Sequence, residues 1–155
     1  MSDARIRYGH VEGPGKGREY PIAADQYVSR LGGKFVYLSG GNVTLCGSSN
    51  DPFGWVESSK DDSGKNAWKS ESGDDVFVIT GLEDVFEMPV DESGASLAAS
   101  QIGLVFKFTQ TGATYALVQK AVVDNSTSTK GVKVVDVDTD QKIVQVKMHP
   151  EYTQV

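Results

Sequence analysis

The 155-residue sequence contains one cysteine, Cys46, and two histidines, His10 and His149. A single thiol excludes an intrachain disulfide framework and a thiolate zinc cluster. Two imidazoles far apart in sequence leave little for acid–base work near neutrality. No window approaches the ~18 consecutive apolar residues of a membrane-spanning helix. The opening MSDARIRYGH lacks the apolar core of a signal peptide. The formal charge of −6 lacks the basic excess that general nucleic-acid binding draws on. There is no G-x-S-x-G around which a serine hydrolase could be built. The Gly15-Lys16 pair fails as a phosphate loop, because His10 stands where the first glycine belongs and Gly17 replaces the required Ser or Thr. No catalytic, cofactor-binding or metal-binding residues are therefore expected, and the chain reads as a non-enzyme that acts on neither nucleic acid nor membrane.

What the sequence does have is glycine, seventeen against five prolines, and a hydrophobic period of two from Pro21 onward. Strands are expected over Tyr27–Arg30 and Lys34–Leu38, joined as a hairpin through Gly32-Gly33, then over Asn42–Cys46 after Gly40-Gly41. Gly54–Glu57 follows, with Trp55 and Val56 on opposite faces. The polar stretch Ser58–Asp75 reads as a long loop pinned by Trp68. Asp75–Thr80 is the strongest strand, and Pro89 is expected to limit the ladder of the next one, Asp84–Met88. Ser96–Gly103 reads as the one helix, capped by Ser96 and closed by Gly103. Leu104–Thr109, Ala113–Gln119 and a final hairpin, Val132–Val137 with Lys142–Met148, complete the pattern around the loop Asn125–Lys130. Eight to ten short strands with one short helix predict an all-β domain, a small barrel or sandwich.

Residues 1–20 stand apart. They carry four basic and three acidic side chains, a charge of +1, whereas residues 21–155 carry −7. Their GPGKG run suits neither a helix nor a central strand. They read as an extended or mobile arm preceding a single β domain at 21–155. Two roles are open to such an arm, a frayed terminus or a segment that orders by adding to a neighbour's sheet.

The other candidate residues each have a bland reading. His10 and His149 read as solvated, and Cys46 as a small buried hydrophobe. Asp136, Asp138 and Asp140 imitate the start of a calcium loop, but Gln141 replaces its glycine and Lys147 its closing glutamate, so a hairpin turn is expected. Asn42-Val43-Thr44 and Asn125-Ser126-Thr127 match glycosylation sequons by chance. Tyr37, Phe53, Trp55 and Trp68 would form the stacking platform of a carbohydrate-binding module if they shared an exposed face. Strand aromatics are more often core or interface.

Two stretches carry a family likeness. The first runs from YPIAADQYVSRLGGKFVYLSGGNVTLCGSSNDPFGWVES through DVFVITGLEDVFEMPVDE to SLAASQIGLVFKF. The second is VKVVDVDTDQKIVQVKMHPE. Through Gly40, Gly41, Val43, Gly54, Trp55, Val76, Phe77, Gly81, Phe86, Pro89, Gly103 and Val105 the chain resembles the head decoration, or cement, proteins of tailed bacteriophages. The resemblance implies a lambda-type, β-tulip-like or small-barrel fold and no cofactor. It also implies a homotrimer bound to the major capsid protein on the capsid exterior, after assembly in the host cytoplasm. In that setting the arm residues Arg5, Arg7, Tyr8, Lys16, Arg18 and Tyr20 would meet the shell.

Overall fold

The computed structural model describes residues 9–29, 34–56, 67–112, 115 and 117–148. Nearly all regular structure in them is β, as expected, but in fourteen strands. Strands β1 (His10–Glu12), β2 (Gly17–Pro21), β3 (Tyr27–Ser29), β4 (Lys34–Ser39), β5 (Asn42–Leu45) and β6 (Gly54–Val56) come first. They are followed by β7 (Ala67–Lys69), β8 (Asp75–Ile79) and β9 (Val85–Asp91). After a 3-10 turn at Ala99–Gln101 come β10 (Val105–Phe106), β11 (Phe108–Thr111), β12 (Val118–Val122), β13 (Val132–Asp138) and β14 (Ile143–Met148).

The first main sheet has the order β2-β8-β6-β4-β5. Past the end of β2, Ile22 bridges Val43 of β5 and the Ala23 N–H donates to the Val43 carbonyl, so the sheet nearly closes on itself. Its inward row, including Val36, Val43, Val56, Val76 and Val78, forms one core. The β3–β7 ribbon covers this core with Val28 and Trp68.

The second sheet has the order β10-β13-β14-β9-β12-β11. Since β10 and β11 are one stretch of chain interrupted only at Lys107, this ladder also returns to where it began. The Val122 N–H donates to the Lys107 carbonyl across the join. Phe106 and Phe108, two residues apart, point inward with Val134, Val144 and Val146. The two barrel-like sheets meet where Phe35 and Trp55 leave the first and enter the core of the second. Phe35 stacks edge-on against Trp55 at 4.7 Å and Phe86 at 5.3 Å, and Trp55 lies flat on Phe86 at 4.7 Å.

Several expectations hold in detail. Trp55 faces the larger core and Val56 the smaller. Gly40 and Gly41, at φ +58 and +85, make the β4–β5 turn. The last hairpin pairs Val132 with Met148.

Others are corrected. Tyr27–Ser29 does not form a hairpin with β4, because both edges of β4 are taken by β5 and β6; β3 pairs instead with β7, placing Val28 opposite Trp68. Ala67–Lys69 is thus a strand within the stretch expected to be loop, and residues 57–66 lie outside the described residues. Ser96–Gly103 forms a single 3-10 turn and no α-helix. Ala98 is extended (φ −153, ψ 155), and the buried Gln101 amide replaces helical bonds. It accepts from the Ala98 N–H and donates to the Ser96 carbonyl and to Asn125. Eight residues gain too few helical bonds to compete with that.

Pro89 does not end its strand. The Glu87 N–H points toward β1, where it donates to the Gly9 carbonyl. Position 89 faces the same way, into the gap between β1, paired at Val85–Phe86, and β12, paired at Val90–Asp91. The missing N–H therefore interrupts no ladder.

Candidate functional site

The expected arm does not stand apart in its described part. Residues 17–21 form β2, fully paired with β8 from Gly17 opposite Ile79 to Pro21 opposite Asp75. Residues 10–12 pair with β9. The boundary expected at Pro21 thus falls inside a strand. Glycines disfavour a helix but do not prevent edge strands on either side of a turn, and that is how GPGKG is used. Arg5, Arg7 and Tyr8 lie outside the described residues, as does His149.

Lys16 and Arg18 are exposed, while Tyr20 is half-buried, edge-on to Phe53 at 5.1 Å. The Arg18 guanidinium lies 5.5 Å from the centre of the Tyr20 ring. Tyr20 is thus an anchor for the strand, whereas Lys16 and Arg18 present charge to solvent. β2 is an end strand, and among the described residues the Ile22–Val43 bridge beyond its C-terminal end is what links it to β5.

Between β1 and β2 the chain wraps a buried carboxylate. The Asp84 side chain is 1% exposed. Its Oδ1 accepts from the Gly15 N–H at 2.8 Å and lies 2.8 Å from His10 Nε2. Gly13 and Gly81 approach Asp84 so closely that a Cβ on either would collide with the carboxylate. Asp84 Oδ2 has no hydrogen-bond partner among the described residues. His10 is therefore not simply solvated: it packs on Phe86 at 5.5 Å and reaches Asp84. The loop around Asp84 thus offers its carboxylate one glycine amide, from Gly15, and close approach at Gly13 and Gly81 that side chains there would block.

Trp55 and Trp68 are buried, and Tyr37 and Phe53 pack against the cores. Phe77 is the one aromatic ring exposed among the described residues. The four rings that would make a sugar platform do not share an open face. Burial, and secondarily the charge of Asp51, push the Cys46 thiol well up, so it is not a ready nucleophile. Asp138 Oδ1 accepts from the backbone of Asp140 and Gln141, closing the β13–β14 turn as expected. Among the described residues no three His, Cys, Asp or Glu side chains are arranged to hold a metal ion. An open groove of about 560 Å³ runs between β1, β9, β13 and β14, lined by Glu12, Glu83, Asp136, Gln145 and Lys147 among others.

Sequence reasoning passed over the buried polar residues, Asp84, Gln119 and Lys34 among them. The Gln119 side chain accepts from the Phe35 N–H at 2.7 Å and donates to the Phe35 and Cys46 carbonyls, bonding one barrel to the backbone of the other. Lys34 is buried with Nζ donating to the Tyr27 carbonyl at 2.8 Å. No sequence pattern marks them: Lys34 and Gln119 lie in ordinary strand runs, and Asp84 in the turn that leads into β9. Compared with known proteins, the chain matches no family model, no curated protein and no solved structure.

Proposed function

We propose that the protein is a non-catalytic structural component of a bacteriophage virion that binds the outside of the capsid and bridges neighbouring copies of the major capsid protein. The observation that carries this reading is the course of the opening segment. Its described part pairs into both sheets, with β1 on β9 and β2 as an end strand, and Lys16 and Arg18 are exposed on a domain of net negative charge. Ahead of the Ile22–Val43 bridge the edge of β2 offers main-chain groups for strand addition, and the exposed Lys16 and Arg18 steer such an edge toward an acidic partner. The likeness to decoration proteins supplies the identity of that partner and the expected homotrimer. Many copies, each making modest contacts, would together stiffen an expanded shell.

The test is co-sedimentation of the purified protein with expanded heads, at several salt concentrations. Saturable binding is expected, with weaker and less salt-sensitive binding after Lys16→Ser and Arg18→Ser. Failure to bind at any salt concentration would refute the capsid reading. Binding unaffected by the double substitution would move the contact away from β2.

A further inference from the structure

We propose that residues 9–16 form a releasable strap, closed over the crossing between the two barrels by Asp84 and able to open while both barrels stay folded. The chain passes from the first barrel to the second between β8 and β9, through Gly81–Asp84. The opening segment runs antiparallel beside it, β2 on β8 and β1 on β9, and so crosses the same junction in the opposite direction. Between these pairings lie residues 13–15 on one side and 81–84 on the other. There the ladder is replaced by contacts to the Asp84 carboxylate, from the Gly15 amide and the His10 ring.

What holds the strap differs in kind from what holds the barrels. No residue from 9 to 16 belongs to either core cluster. Val11 is 46% exposed, and Glu12, Gly13, Pro14 and Lys16 are exposed as well; Gly9 is buried, and the half-buried His10 ring on Phe86 gives the segment a contact with a core residue. The β1 ladder is short and shifts register between His10 and Glu12. Segments with few buried apolar contacts and exposed backbone bonds open at far lower free energy than the whole fold.

Closure also takes a carboxylate out of water and leaves Asp84 Oδ2 without a partner among the described residues, a desolvation that opening relieves. Gly13 and Gly15, at φ +104 and +65, are the natural hinge points. From the Lys16 carbonyl, which accepts from the Thr80 N–H, the chain is fixed onward by the β2 ladder and by Tyr20 on Phe53. The strap is a property of the fold and stands independently of what the protein attaches to.

Amide hydrogen exchange followed by NMR on the full chain tests this. The Glu87 N–H, bonded to Gly9, reports the strap; the Val134 N–H, bonded to Leu104 inside the second barrel, reports the body. In the parent protein Glu87 should exchange at least about ten-fold faster than Val134. Gly13→Ala places a Cβ 2.9 Å from the Asp84 Cα at a positive φ, so the strap cannot close. It should abolish protection at Glu87 and leave Val134 protected. His10→Ala, which removes one Asp84 contact without backbone strain, should lower Glu87 protection alone. Equal protection of the two amides in the parent protein would overturn the strap. So would a parallel loss at Val134 in either variant.

Discussion

Replacing Lys34 with Met should stabilise the protein near neutrality, and the gain should vanish as the pH rises. Lys34 opens β4 on the same face as Val36, with its ammonium buried and donating to the Tyr27 carbonyl. Burial lowers its pKa from 10.5 to about 8. The folded value lies below the unfolded one, so between about pH 8 and 10.5 the unfolded chain binds more protons and stability rises with pH. Below that window the fold carries the whole penalty. At 1.36 kcal/mol per pH unit this is about 3 kcal/mol. Methionine fills a similar volume without charge but loses the bond to Tyr27, worth about 1 kcal/mol. The net gain near pH 7 is therefore about 2 kcal/mol, or roughly 4–8 °C in Tm for a chain of this size. Paired urea titrations of parent and Lys34→Met from pH 6.5 to 10.5 measure the difference, which also removes contributions from other titrating groups. Equal stability increments at every pH would show that the Lys34 ammonium is well solvated in the fold and would refute the reasoning.

Further outcomes follow from the same contacts. Gln119→Leu strands the Phe35 N–H and weakens the join between barrels; a loss of about 3 kcal/mol in urea denaturation is expected, and a loss under about 1 kcal/mol would show that water replaces the amide. Deleting residues 1–16 should leave the thermal transition within a few degrees of the parent, whereas deleting 1–21 removes β2 and Tyr20 and should abolish cooperative melting. Equal effects of the two deletions would contradict the division at Gly17. Trp55→Ala should cost about 3–5 kcal/mol, because the indole fills the contact between Phe35 and Phe86. Light scattering is expected to show a trimer in solution, and a monomer at every concentration would remove the intrinsic-trimer part of the proposed function.

The sequence by itself determined the β class and most strand positions, because these are local properties. Val76, Val78, Val144 and Val146 declare a period of two, and Gly40-Gly41 and Asp138–Gln141 carry turn chemistry that works in any β context. It also determined that Trp55 and Val56 face opposite ways, which is geometry of a single strand.

Tertiary structure alone decided which strands pair. Gly32-Gly33 looked like a hairpin turn, yet the edges of β4 were claimed by β5 and β6, and β3 found β7 some forty residues away. The opening segment looked detached because its glycines and charges lack a core of their own. Its strands are held by partners at β8 and β9, far along the chain, and its loop by the one carboxylate of Asp84. Asp84, Lys34 and Gln119 were invisible for the same reason. A polar side chain gains structural meaning from burial and partners, and both exist only once distant segments of the chain have come together.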